Sequence, residues 1–171
     1  MDQYRLLSEE SFLGQCRLDL SRGSGPGGQK RNKTSNAVRL THLPTKLVAT
    51  GTEARSLAEN KLNALRRLRL KIAIELREPI DLLTFEPPTW FLTIRHEKRL
   101  QVSHRHALYA PTAGLMLDLL QALNASPAAV AVNLGISTTS VIKFLENEPT
   151  VWMAANAMRE RLGLTTLNHR R

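Results

Sequence analysis

The chain has 171 residues, room for one domain or two small ones with a real core, and its 42% hydrophobic and 23% charged content is that of a soluble globular protein. With 24 Lys/Arg against 15 Asp/Glu it carries +9, which favours a polyanionic partner. A single cysteine, Cys16, excludes an internal disulfide framework, and no apolar run approaches the ~20 residues needed to cross a bilayer.

The N-terminus contains Asp2, Glu9 and Glu10 and no charged head followed by an apolar run, so neither a secretory signal nor an organellar presequence is expected. A reducing, cytoplasmic setting is the expectation. Residues 1–14 read as a short helix or arm, with Leu6, Leu7 and Phe12 available for packing. Cys16, Leu18 and Leu20 alternate with Arg17 and Asp19, predicting a half-buried strand over 15–20. The Ser/Gly/Pro run over 21–28 supports neither helix nor ladder and is a loop. Residues 32–37 are compatible with a helical turn capped by Asn32 or Thr34. Two further runs of strand character, 38–43 and 47–50, flank Pro44-Thr45-Lys46 and predict a hairpin.

A long helix follows. Thr50 and Glu53 have capping-box spacing, with Thr52 an equal candidate for the cap. Ala54, Ala58, Leu62, Leu65, Leu68, Ile72 and Leu76 recur every three or four residues, one apolar face extending to a stop before Pro79. Arg66, Arg67 and Arg69 lie mostly elsewhere on the cylinder and present cations. Residues 79–110, broken by Pro79, Pro87 and Pro88 and containing the apolar run 90–94, read as a connector. From Pro111 onward the chain is helical in composition and nearly neutral. Ala131, Gly135, Ile136, Val141 and Phe144 have helix-turn-helix spacing, with Ser126-Pro127 and Ser137 as start signals. The segment 138–145 holds only Lys143 as a cation, too few phosphate contacts for a sequence-specific duplex reader. His96, His104 and His106 lie close in sequence but lack a thiolate and a well-placed carboxylate, so no metal site is expected.

The charge is not spread evenly. Between Arg22 and Lys71 twelve Lys/Arg face only Glu53 and Glu59, a net +10, so the remaining residues sum to −1. Within that stretch Gly23-Ser24-Gly25-Pro26-Gly27-Gly28 satisfies the spacing of a dinucleotide fingerprint, but Gln29-Lys30-Arg31-Asn32-Lys33 follows where an apolar helix is required. A phosphate-binding P-loop fails too, because Gln29 stands in the lysine position and Lys30 comes one residue late.

The string SGPGGQKRNKTSNAVRLTHLPT resembles the catalytic domain of the class-I peptide chain release factor superfamily. The matching residues are Arg22, Ser24, Gly25, Gly27, Gly28, Gln29, Asn32, Lys33, Val38, Arg39, His42, Pro44 and Thr45. The resemblance implies a small domain with a three-stranded, mainly antiparallel sheet and a packing helix. With the all-α, helix-turn-helix-like bundle read from the spacing that follows, the expected class is α+β. The expected division is a domain over residues 1–78, a connector over 79–110 and a helical domain over 111–171. It further implies ribosome-dependent hydrolysis of peptidyl-tRNA, with Gly27, Gly28 and Gln29 at the catalytic tip. The main-chain N–H of Gln29 would donate to the oxyanion while its side chain confines the attacking water. Arg22, Lys30, Arg31, Asn32, Lys33, Arg39, Arg66, Arg67 and Arg69 form the candidate RNA-binding set.

Only 23 residues precede Ser24, fewer than a codon-reading domain needs, and the C-terminal LTTLNHRR differs from the Lys/Arg-rich tail of codon-independent rescue factors. Lys30-Arg31 also replaces the His-Val pair common after the glutamine. The expectation is rescue of stalled ribosomes without stop-codon reading, leaning toward a split large subunit with trapped tRNA. The implied partners are large-subunit rRNA at the peptidyl transferase centre, peptidyl-tRNA, and a protein or ribosomal contact through 111–171. No cofactor, metal or membrane is expected, and the protein is expected to be a monomer. The competing readings are a non-catalytic rRNA- or ribosome-binding accessory protein that keeps the fold, and a helix-turn-helix regulator.

Overall fold

The computed structural model describes residues 4–21 and 36–168. The expected helical turn at 32–37 lies almost wholly outside the described residues; only its end is seen, and there Ala37 is already strand. The chain divides into two compact units, one ending at Ile72 and the other beginning at Ala73.

In the first unit Ser8 caps helix α1, Glu9–Gly14, its hydroxyl accepting from the Ser11 N–H at 3.1 Å. Phe12 is the buried residue of this helix, whereas Leu6 stays exposed instead of packing. Three antiparallel strands follow in the order β1 (Cys16–Ser21), β2 (Ala37–His42), β3 (Val48–Gly51). The β2–β3 turn has no Asn-Gly; Lys46 supplies the left-handed residue at φ 61°, and its N–H bonds the His42 carbonyl at 2.8 Å. Helix α2 runs Leu57–Glu75.

The expected start and stop of α2 both need correction. Neither Thr50 nor Thr52 caps it; Ser56 does, with the Glu59 N–H on its hydroxyl and the Asn60 N–H on its carbonyl at 3.0 Å. The reason is tertiary: β3 extends to Gly51, and Ala54 is held outside the helix by the Asn60 side chain. The buried stripe is accordingly Asn60, Ala64, Leu65, Leu68, Ile72 and Ala73, while Ala58 and Leu62 are exposed. The helix also stops at Glu75, short of Pro79.

Directly opposite strand residues share a face. Gly51 pairs with Val38, and a Cβ on Gly51 would lie 2.1 Å from the Asn60 carbonyl oxygen, so the Val38, Leu40, His42 face is the one against α2. The glycine is there because backbone meets backbone. His42 is fully buried in this layer. Its ring stacks on Phe12 at 5.1 Å and meets the edge of Tyr4 at 4.8 Å. Its two nitrogens pair with Thr45 Oγ1 at 2.8 Å and Gln15 Oε1 at 3.2 Å. The latter is an acceptor, which fits a neutral ring carrying its proton on Nε2.

The second unit takes in the last residues of α2, and its next helix is α3, Thr89–Leu92, inside the expected connector. The apolar run 90–94 is thus helical as far as Leu92 and buries Phe91 and Ile94. A two-stranded hairpin follows, β4 (Arg95–His96) and β5 (Arg99–Leu100). Then come α4 (Tyr109–Ala122), α5 (Pro127–Leu134), α6 (Thr138–Glu146) and α7 (Pro149–Arg161). Helix α4 is buried without interruption from Tyr109 to Leu120. Such a helix cannot leave its one acid unpaired. Asp118 binds the Arg77 guanidinium at 3.0 Å and accepts the Glu78 N–H at 3.1 Å. Ser126 and Ser137 cap α5 and α6, accepting from Ala129 N–H at 3.3 Å and Ser140 N–H at 3.1 Å. Gly135, at φ 65°, closes α5 with the Ile136 N–H on the Ala131 carbonyl. Among the described residues no single helix is long and apolar enough to cross a membrane.

Burial lowers the His42 pKa below the ordinary imidazole value. The unfolded chain therefore takes up a proton first, so this contribution to stability is complete above about pH 6.5 and declines as pH falls toward the depressed folded value. Urea midpoints at pH 7.5 and 5.0 should drop further in the native chain than in His42→Asn, which is weaker at both pH values; equal drops would overturn the assignment.

Candidate functional site

The last β1–β2 pair is Ser21↔Ala37, so residues 22–36 join two strand ends that lie side by side. This is the segment containing Gly27, Gly28 and Gln29 with Arg22, Lys30, Arg31, Asn32 and Lys33; all eight lie outside the described residues. Its base is built from two asparagines. Asn36 donates through Nδ2 to the Arg55 carbonyl at 2.8 Å, and its own carbonyl accepts from Asn60 Nδ2 at 2.7 Å. Asn60, fully buried, also accepts the Ala54 N–H at 2.9 Å and donates to the Ala54 carbonyl at 2.9 Å. Three of the four bonds its carboxamide can make are thus spent on fixing where the chain resumes after the loop.

The described cations are deployed differently from one another. Arg39 is exposed and pairs across the sheet with Asp19 on one side and Thr50 on the other, on the face turned away from α2. Asp19 is itself engaged by Arg17 at 3.2 Å. Arg66, Arg67 and Arg69 are on the helix behind the sheet, so Arg39 does not join them on one surface. Arg67 donates to Glu53 Oε1 at 2.7 Å and to the Thr50 carbonyl at 2.8 Å, and Lys71 reaches the Val48 carbonyl at 3.4 Å. Residues 48 and 50 are two apart on the edge strand and 67 and 71 four apart on the helix, spacings of about 7 and 6 Å. The two cations therefore cover successive carbonyls of the β3 edge. The hydrogen bond from Arg67 holds the Glu53 carboxyl below the usual carboxylate range.

Arg69 is committed inward. It donates to the carbonyls of Leu7 at 2.8 Å and Ser8 at 3.1 Å, and its guanidinium lies 4.5 Å over the Phe12 ring. Arg66, half-buried on the same helix, has no ion pair among the described residues, nor has exposed Arg39. Arg39 and Arg66 are thus the two described members of the candidate RNA-binding set with neither an ion pair nor a side-chain hydrogen bond among the described residues. Cys16 is no nucleophile: its thiol donates to the Phe12 carbonyl at 3.3 Å, and burial raises its pKa.

Sequence reasoning missed Asn60 and Gly51. The glycine at the end of a β-branched strand was a readable signal of close backbone approach. Asn60 gave none, since an asparagine between Glu59 and Lys61 reads as solvated helix surface.

Residues 13–81 match the RF-1 domain family, a span that contains β1 to β3, α2 and the glycine-rich segment. These residues belong to the class-I peptide chain release factor superfamily. Among curated relatives, peptide chain release factor 2 of Mycobacterium leprae (strain Br4923) is 46% identical over 74 residues, 41% of this chain and 20% of that protein. Its counterpart in Mycobacterium avium (strain 104) is 49% identical over 59 residues, 34% of this chain and 16% of that one. The chain thus spans about a fifth of the length of the curated relatives it matches.

Arg69→Ala should destabilise the first unit by about 1–3 kcal/mol, because three carbonyls, those of Arg5, Leu7 and Ser8, and one aromatic face lose the guanidinium. Arg66→Ala should stay within about 0.5 kcal/mol. Urea unfolding of the two variants reads the difference, and equal midpoints would contradict the division of roles.

Proposed function

We propose that the chain releases peptides from the ribosome by hydrolysing the peptidyl-tRNA ester, and that it does so in rescue of stalled ribosomes without reading a stop codon. The observation that carries this reading is the release-factor domain at 13–81 with Gly27-Gly28-Gln29 inside it, on a segment joining the paired strand ends Ser21 and Ala37.

The chemistry follows from what the tip lacks. Neither glycine nor glutamine titrates near neutral pH, so the side chains supply no general acid or base. What remains is placement of a water against the ester carbonyl and stabilisation of the oxyanion that develops. Gly27 and Gly28 permit close backbone approach. The Gln29 main-chain N–H donates to the oxyanion, and its carboxamide holds the water and crowds out larger nucleophiles. The proton lost by the water passes to the tRNA ribose oxygen that leaves. Arg22, Lys30, Arg31, Asn32 and Lys33 contact rRNA around the tip. Arg39 and Arg66 add phosphate contacts, and Arg67 and Arg69 contribute mainly by holding the scaffold that presents them.

In this reading residues 1–78 are the hydrolytic domain, 79–110 connect, and 111–171 form a helix-turn-helix-like bundle that docks on a ribosomal or protein partner.

Gly28→Ala, which puts a Cβ on the turn that presents the Gln29 N–H, should lower peptide release at least about 100-fold, the scale of a lost oxyanion donor. Gln29→Ala keeps that N–H but loses the carboxamide that holds the water, and should lower release as well, while co-sedimentation with ribosomes changes little for either. Release from ribosomes with an empty decoding site should equal release at a stop codon. Ribosome binding with no release by the native chain would instead favour an accessory binding protein. Arg39→Ala and Arg66→Ala should each flatten the slope of log affinity against log salt by about 0.7–0.9; an unchanged slope removes that residue from the phosphate-contacting set.

A further inference from the structure

The second unit contains a cavity of about 330 Å³ between the β4–β5 hairpin and α6. It is preformed, because the hairpin is fastened to the α5–α6 turn at two points. Arg95 Nη1 donates to the Leu134 carbonyl at 3.3 Å and would lie only 2.5 Å from a Cβ on Gly135. At the hairpin tip the Lys98 carbonyl accepts the Ser137 N–H at 2.8 Å and the Ser140 hydroxyl at 3.1 Å. Ser140 Oγ and Ser137 Oγ are 2.9 Å apart, so the local hydroxyls are already satisfied and serve as a staple.

What the staple leaves facing the cavity is chemically uneven. Arg99 from the hairpin and Lys143 from α6 supply two exposed cations, each without an ion pair among the described residues. Asn147 supplies a carboxamide, and Leu100 and Phe144 supply apolar surface. No carboxylate lines it. Two cations attract a phosphate, an apolar floor takes a flat aromatic ring, and a carboxamide can pair with a base edge. The volume is at the small end for ligand sites, enough for one nucleotide rather than a run.

We infer that this cavity binds a nucleoside phosphate, a single nucleotide turned out of single-stranded RNA. Single-stranded RNA is recognised through such unstacked bases. The choice of RNA over another phosphate-bearing polymer rests on the release-factor reading of residues 13–81. The cavity is a second contact, distinct from the basic stretch at 22–71, and gives the nearly neutral helical unit its own hold on RNA. Sequence alone showed only Lys143 on this helix; the hairpin brings Arg99 to it across 44 residues.

The test is an amide-resolved NMR titration of the full chain with a ten-nucleotide uridine RNA, uridine monophosphate, inorganic phosphate and a phosphoserine peptide. RNA and the mononucleotide should both shift amides within 99–102 and 137–147, the RNA saturating at concentrations at least tenfold lower. The double variant Arg99→Ala/Lys143→Ala, at exposed positions, should require at least tenfold more RNA to move the same amides, with its urea midpoint unchanged. RNA shifts confined to the first unit would overturn the proposal. So would inorganic phosphate matching the mononucleotide, or the phosphopeptide binding here more tightly than RNA. The peptide-release assay is read separately. Release with no shift at these amides defeats the cavity and leaves the hydrolytic reading standing, whereas shifts without release do the reverse.

Discussion

The Asn60 carboxamide is the constraint on which the first unit turns. Buried with no access to water, it holds Asn36 and Ala54 together by three hydrogen bonds of 2.7–2.9 Å. Those contacts fix the end of the glycine-rich segment, delay the start of α2 to Leu57, and set α2 against β3 so closely that only glycine fits at position 51. Without the carboxamide three backbone groups would lose their partner, each at a cost of about 1–3 kcal/mol where it stays buried. The pinned base fixes where β2 begins after the long connection from β1.

The same economy governs the cations. A basic window invites the view that all its charges face one polyanion. The structure instead assigns several to its own backbone: Arg67 and Lys71 shield the β3 edge, and Arg69 secures the turn ahead of α1 and stacks on Phe12, which stacks in turn on His42. Arginine suits such posts, since a planar fork can serve two carbonyls while its face covers an aromatic ring. The imidazole in that stack is buried, and burial opposes its protonation. The charges left over are fewer than the count suggests, and Arg39 stands on a different face from Arg66.

The helical unit uses a comparable device. Helix α4 is buried around its whole circumference, and its one acid is neutralised by Arg77, the residue two beyond the end of α2. The hairpin is locked to the α5–α6 turn through main-chain carbonyls and a serine pair. Attachment at Arg95 and Lys98 places Arg99, the next residue, on the lining of the same cavity as Lys143.

Period and punctuation in the sequence marked most of the elements, but not α3 or the β4–β5 hairpin, which are too short to show a period. Alternation marked β1 to β3, the three-to-four repeat marked α2, Ser126-Pro127 and Ser137 marked two helix starts, and the string from Ser24 to Thr45 marked the family. These are local signals, arising from steric and hydrogen-bonding preferences within a few residues. Three things were decided only by tertiary structure: which residue caps α2, which arginines remain available, and which cation meets Lys143. Each depends on contacts between residues far apart in the chain, 24 for Asn60 with Asn36 and 62 for Arg69 with Leu7. No periodicity encodes such pairs, because a donor's partner is fixed by where the folded backbone leaves an unpaired carbonyl.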